Sequence, residues 1–374
     1  VRSPMIEITT IGAGGGSIAW VDKGGLLNIG PESAGSTPGP VAYGLGNTRP
    51  TVTDANVVLG RIDPDNPIGG KLERLDVEAA KAAILEHVGD PLGLDALAAA
   101  EAILRVANSR MAGALRLVSI ERGFDPKRFA FMPFGGGGAL HSGAMLADVG
   151  LARAIVPRYP GVTSAMGCVI ADMRQDFVQT INAGLDGIDA ALLGAHMQRH
   201  VSDGLAILDA ARTSFEARET AFTLDMAYLG QTHTVSVDVP VEVENGTVTP
   251  PSEAQIGAAF DAAYMATYGR LLENGVRRVM NLRSAVTGKR PRFDLSTLAP
   301  RGGSLDGALK GTRPVHFGDT WHETTLYDRL ALPIGAEIPG PAILEQPDTT
   351  VLIEPDLIGR VDAFGNTIIE RNTP

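Results

Sequence analysis

Cysteine is nearly missing from this sequence: Cys168 is the single one in 374 residues. An internal disulfide framework is thereby excluded, and the scarcity fits a reducing compartment. Cys168 sits in the apolar stretch 165–170, where a buried, inert thiol is expected rather than a nucleophile. Basic charge is also short. The 32 Lys and Arg against 43 Asp and Glu leave a net charge of −11, and no basic stripe offsets it, which argues against nucleic acid as a partner. No apolar run reaches the ~20 residues of a membrane-spanning helix and no secretory leader is visible, so a soluble cytoplasmic protein is expected. The chain opens on Val1 without a methionine, as either a trimmed N-terminus or a fragment of a longer polypeptide would. Its length suits about two or three domains with a sizeable core.

Glycine, in contrast, is concentrated where it matters. Residues 129–150 read FAFMPFGGGGALHSGAMLADVG. The apolar run Phe129–Phe134 is short enough for a buried strand; it stops at Gly135, Gly136, Gly137 and Gly138, and helical spacing resumes with Leu140, Met145, Leu146 and Val149. A strand, a turn without Cβ atoms and a helix start let backbone approach a polar or anionic ligand. The same pattern also suits a tight connection with no ligand.

Earlier in the chain, Gly12, Gly14, Gly15 and Gly16 bend the backbone before a hairpin, with the turn at 22–25 between strands Ser17–Val21 and Leu26–Ile29. Ser17 would place a hydroxyl beside a phosphate or substrate carbonyl, or simply close a bulge. Pro31–Pro50 is an ordered loop carrying Glu32, Tyr43 and Arg49, side chains able to hold a polar ligand. Asp54 is placed either to cap a helix over Ala55–Leu59 or to orient water or metal. Helices are predicted from Asp76 to about His87 and over Leu94–Arg122, ending at Gly123. After the strand Ala152–Val156, small residues up to Asp172 suit a helix packed closely on a neighbour. Past about residue 180, a helix over Ile188–Ala217, strands over Ala221–Val243, a helix over Ser252–Tyr268 and a strand-rich remainder form a smaller α+β region ending in a β-rich module. His196 and His200 stand at i, i+4, but lacking a third ligand they read as a solvated helix face.

Several stretches together resemble the hydantoinase A/oxoprolinase family: TIGAGGGSIAWVD (10–22), GPESAGSTPGPVAYG (30–44), PTVTDANVVLGR (50–61), MAGALRLVSIERGFDP (111–126), FGGGGALH (134–141), PGVTSAMGCVIAD (160–172), YLGQ (228–231) and GPAILEQPDTTV (340–351). The resemblance implies an α/β, actin-like ATPase lobe, of the type shared with sugar kinases and heat-shock chaperones, followed by the smaller α+β module. On that basis the chain divides into an ATPase lobe over 1–185, an α+β domain over 186–290 and a β-rich module over 291–374. The segment 129–149 would be the adenosine segment. Two glycine- and threonine-rich phosphate segments expected of such a fold are not present; they lie upstream of a stretch like Met5–Ser17 in the family. Glu7 and Thr9 stand where aspartate and histidine are expected.

What the resemblance implies about chemistry is ATP-driven activation of a poor electrophile, with magnesium. In the amidase members a cyclic amide oxygen is phosphorylated and water opens the ring; in the carboxylases the same phosphate transfer activates a ketone enol or bicarbonate. Expected nucleotide contacts are Gly135, Gly136, Gly137, Gly138 and His141, with Gly14, Gly15, Gly16 and Ser17 near phosphate or substrate, and Asp54 and Asn56 on water or magnesium. The implied partners are an N-terminal portion of the same subunit, an α-type (hydantoinase B-like) subunit and a small cyclic amide. A ketone carboxylase subunit is the alternative chemistry, and a non-catalytic scaffold half completing a partner's site is the alternative class.

Overall fold

The computed structural model describes residues 8–70 and 72–372, which fall into two compact units: 8–166 with 294–372, and 167–293. Met5, Ile6 and Glu7 lie outside the described residues.

The first unit begins with the hairpin β1 (Ser17–Val21) and β2 (Leu27–Ser33), which pair antiparallel. Asp22 Oδ1 shapes the turn by accepting the N–H groups of Gly24 at 2.8 Å and Leu26 at 3.0 Å. Helices α1 (Val52–Val58), α2 (Val77–Ile84) and the single turn α3 (Asp90–Leu92) follow. The long α4 (Ala96–Val118) starts on Asp95, whose Oδ1 accepts the Ala98 N–H at 2.8 Å. Ala99, Ala100, Ile103, Leu104 and Ala107 form its buried stripe.

Next come β3 (Ala130–Phe131), α5 (Ser142–Val149) and β4 (Arg153–Val156). Far along the chain, β11 (Leu309–Phe317), β12 (Thr320–Asp328), β13 (Glu337–Pro339), β14 (Ala342–Gln346), β15 (Thr349–Ile353), β16 (Leu357–Val361) and β17 (Thr367–Arg371) return to the same unit. One sheet runs β13-β16-β17-β4-β3 and another β11-β12-β14-β15. The last strand is therefore bonded to a mid-chain one, Ile369 opposite Ala154. Val315, Ile343 and Leu352 from the late strands share one core with Ile29, Leu59, Ile84 and Ile103, and each such side chain stabilises the unit by about 1.5–3 kcal/mol.

The second unit is an antiparallel sheet, β5-β10-β6-β7, made of β5 (Met173–Gly184), β6 (Ala217–Tyr228), β7 (Val235–Asp238) and β10 (Arg277–Lys289). Helices α7 (Ala190–Ala210) and α8 (Glu253–Tyr268) carry Leu193, Met197, Val201, Ile256 and Phe260 into its core. A small hairpin, β8 (Glu242–Glu244) and β9 (Thr247–Thr249), completes it.

Four expectations are corrected. The run Phe129–Phe134 is not a buried strand: β3 is two residues at a sheet edge, Pro133 offers no N–H to extend it, and Phe129, Met132 and Phe134 are exposed. The small-residue helix exists as α6 (Thr163–Ile170), but it buries none of its residues, and Cys168 is exposed. His200 is buried rather than solvated. Its Nδ1 lies 2.9 Å from Ser284 Oγ, its ring stacks on Phe177, and burial lowers its pKa. Finally, the helix after the proline loop is capped by Thr51, with Asp54 inside its first turn. The two compact units also group the chain differently from a linear partition at 185 and 290, because β17 pairs with β4. Among the described residues, no helix is long and apolar enough to cross a membrane.

Candidate functional site

Two glycine segments far apart in sequence line one cleft of about 200 Å³ in the first unit. On one side stands Gly15, just before β1. Its carbonyl accepts the Thr53 N–H at 2.8 Å, and a Cβ there would lie 2.8 Å from Thr53 Oγ1. A side chain at Gly15 would require the Thr53 hydroxyl to move aside. On the other side stand Gly136 and Gly137. Gly135 turns the chain with φ +82°, and the Thr349 hydroxyl braces the turn by donating to the carbonyls of Gly135 and Gly136 at 3.3 and 3.2 Å. Asp348 accepts the Gly161 N–H at 3.0 Å, and Pro347 accepts the Gly69 N–H, which holds Pro67 and Ile68 in the wall.

Gly137 differs from its neighbours. Its φ is −107°, which any residue adopts, and a Cβ there would meet nothing within 4 Å. The fold does not require glycine at this place, and a side chain there would meet open space at the edge of the cleft.

The polar floor consists of Asn56 and His141. Asn56, on α1 and 2% exposed, donates from Nδ2 to the Val52 carbonyl at 3.0 Å, while its Oδ1 has no partner. An orphaned buried acceptor costs about 1–3 kcal/mol. His141 ends the turn Gly138–His141 that leads into α5, and its Nδ1 lies 2.7 Å from Asn108 Oδ1 on α4. Burial, with a smaller contribution from nearby Arg61, lowers its pKa to about 4. The imidazole is therefore neutral at pH 7. When Asn108 Oδ1 accepts, Nδ1 carries the proton and Nε2 is the acceptor; with the Asn108 carboxamide turned over the two roles exchange. Tyr43, Ile62, Leu75 and Leu140 supply the rest of the wall.

The other expected residues are placed elsewhere. Ser17 Oγ accepts the Gly14 N–H at 2.9 Å and donates to the Gly12 carbonyl at 3.3 Å, closing its own bend. Gly16 packs on Ser33, and Gly138 on Pro133. Asp54 is fully buried and receives the N–H groups of Val41, Ala42 and Thr51 together with the Thr51 hydroxyl. Burial pushes its pKa up against the pull of those four donors. It ties the 41–43 turn to the start of α1, which is how Tyr43 reaches the cleft. Glu32 and Arg49 form an exposed ion pair with each other. Thr53, Asp348 and Thr349 carried no individual signal in the sequence, since their roles depend on segments that meet only in the fold. Among the described residues, no group of three or more His, Cys, Asp or Glu side chains stands ready for a metal ion.

The sequence model of the hydantoinase/oxoprolinase family matches residues 1–177, and that of the hydantoinase/oxoprolinase C-terminal domain matches 195–370. The caprolactamase subunit alpha of Pseudomonas jessenii is 33% identical over 94% of this chain and 51% of its own length. The acetophenone carboxylase gamma subunit of Aromatoleum aromaticum is 32% identical over the whole chain and 52% of its own length. Among solved structures, the ATP-dependent caprolactamase of Pseudomonas jessenii superposes with a TM-score of 0.78 at 32% identity, covering 99% of this chain and 54% of that one. Nucleotide-free acetone carboxylase gives the same TM-score at 25% identity, over 96% and 52%. The chain thus spans about half the length of these relatives. Its mixed α/β fold, its two glycine segments and these matches together show that it belongs to the hydantoinase/oxoprolinase family.

Proposed function

We propose that this chain is part of a subunit of an ATP-dependent enzyme that opens a cyclic amide, acting with a separate partner subunit. The observation that carries this reading is the cleft, where Gly15, Gly136 and Gly137 meet Asn56 and His141. An amide carbonyl is resonance-stabilised and resists water; ATP supplies a phosphoryl group that makes its oxygen a leaving group. Positioning and water exclusion are then what the protein must provide. The glycine walls allow a flat ligand to lie against backbone, and the neutral lining keeps its surroundings dry. The fit to magnesium is poor. No carboxylate appears among the described lining residues, and Asp54 is committed to α1, so no step is assigned to the ion here.

Phosphate release by the complete enzyme tests this reading, with 5-oxoproline, hydantoin, a lactam, and acetophenone plus bicarbonate supplied in turn. Turnover raised by one cyclic amide, and lowered about tenfold or more by Gly137→Ala without loss of thermal stability, is the expected result. Stimulation only by ketone and bicarbonate moves the chain to the carboxylase chemistry, which the equal TM-score of acetone carboxylase keeps in view. No stimulation by any of them favours a scaffold.

A further inference from the structure

We infer that the pocket at the YLGQ turn (228–231) of the second unit binds a carboxylic acid with a flat apolar body, its carboxylate held by Arg270 and the Tyr264 hydroxyl. This site is independent of the amide reading, because none of its residues lines the cleft.

Two loops build the pocket, whose volume is about 430 Å³. One, at 229–234, joins β6 to β7; the other, at 269–276, joins α8 to β10. The Leu229 N–H donates to the Val276 carbonyl at 2.8 Å and ties them together. Gly275 lets the second loop lie against Tyr228, because a Cβ there would run into the Tyr228 ring. Behind the loops the buried rings of Tyr228 and Tyr264 meet edge to face, with centroids 4.8 Å apart. Tyr264 in turn contacts Tyr268, whose ring lies 4.6 Å away and is 48% exposed. An aromatic wall thus leads from the core to the surface, with Leu272 also in the lining.

Hydrogen-bond polarity then selects the ligand. Gln231 Oε1 accepts the Tyr228 N–H at 3.2 Å, which fixes the carboxamide, since turning it over would set two N–H groups against each other. Its Nε2 therefore donates to the Tyr264 oxygen at 2.7 Å, and the Tyr264 O–H proton finds no acceptor among the described residues. The Thr232 hydroxyl and His233 Nδ1 engage each other at 3.1 Å. Arg270 is exposed, and its guanidinium has no hydrogen-bond or ion-pair partner among the described residues. The described lining contains no Asp or Glu. A permanent cation beside an O–H donor favours an anion that accepts at two oxygens, and the planar guanidinium matches a carboxylate. The exposed face of Tyr268 suits a ring. About 430 Å³ accommodates both parts of such a ligand.

Ligand-observed NMR titrations of the complete enzyme test the site with benzoate, with benzamide, which keeps the shape without the charge, and with acetate, which keeps the charge without the ring. Benzoate is expected to bind with a Kd of about 1 mM, within the reach of so small a ligand. Benzamide and acetate should bind about tenfold more weakly or worse. Arg270→Gln should weaken benzoate about tenfold or more without lowering the melting temperature, since the arginine has no partner to lose. Tyr264→Phe keeps the ring packing, removes the donor and should cost about tenfold as well. Should that variant fail to fold, Tyr268→Ala at the exposed end of the wall serves in its place. The inference is overturned if benzamide binds as well as benzoate, if Arg270→Gln leaves benzoate affinity unchanged, or if no saturable binding appears by about 10 mM. The peptide acid acetyl-Gly-Gly-Phe separates two sources of the same group. No gain over benzoate is expected, and assigns the site to a free ring-bearing acid; binding about tenfold tighter, and lost in Arg270→Gln, assigns the carboxylate to a chain terminus of another protein.

Discussion

A histidine at position 141 takes up a proton below about pH 6.5 in the unfolded chain, whereas in the folded chain burial delays that proton until about pH 4. Between those values the unfolded state binds more protons, so stability falls as pH drops through the window and is fully recovered above it. The full shift corresponds to an upper limit of about 3 kcal/mol. His200 is displaced in the same direction by burial, so the wild-type slope contains both groups. Denaturant titrations at several pH values, comparing wild type with His141→Gln, isolate the first. The variant is expected to lose less stability on acidification; parallel slopes for the two proteins would show that His141 carries no such linkage. At this scale the sequence was legible where a residue's meaning is local. Gly15, Gly136 and Gly137 sit in glycine runs that mark close approach, and Asn56 and His141 are polar side chains beside them. Asp54 and Ser17 look equally suited to chemistry, but their oxygens are taken up by the 41–43 turn and by the glycine bend. Those partners cannot be read from spacing alone.

Helices show the same division between local signals and packing. α4 and α8 announce themselves through Asp95, through the Ser252 and Gln255 capping box, and through Gly269 in the left-handed region at the end of α8. The partner surface is silent in the sequence, and glycine makes this plain. Gly113 lies inside α4 with nothing within 4 Å of a Cβ, so Gly113→Ala should stabilise the protein by about 0.5–1 kcal/mol through a less flexible unfolded chain. Gly204 in α7 is the opposite case: a Cβ there would lie 2.6 Å from Val286 on β10. Gly204→Ala should cost about 1–3 kcal/mol as the helix is pushed off its sheet. Melting temperatures of the two variants, moving in opposite directions, are the check; a matching sign would mean the helix–sheet contact is looser than the structure describes. The sequence misjudged β3 for a related reason, since an apolar run such as Phe129–Phe134 signals a buried strand only if something covers it.

For the whole molecule, hydrophobic pattern identifies strands without naming their neighbours, which is why the late strands read as a separate module although Ile369 pairs with Ala154. Arg329 fastens that return of the chain. Buried at 3% exposure, it donates to the carbonyls of Val156, Pro157 and Arg158, to Gln346 Oε1 and to Thr367 Oγ1. Burial, and to a lesser degree Arg158, lowers its pKa to about 10, so it stays charged at pH 7. Arg329→Met leaves those carbonyls without a donor and should cost about 3 kcal/mol or more; Lys cannot replace it, because one ammonium does not reach five acceptors spread around a planar fork. The cost should be confined to one part of the chain. Leu193, Met197, Phe260 and Leu282 form a core of their own within 167–293, and the core holding Ala154, Leu344 and Ile369 belongs to the other unit. Calorimetry is accordingly expected to resolve two transitions, with Arg329→Met lowering one and Gly204→Ala the other. A single transition shifted by both variants would instead mean that the two cores unfold as one cooperative body, and that the return of the C-terminal strands stabilises the inserted unit as well as its own.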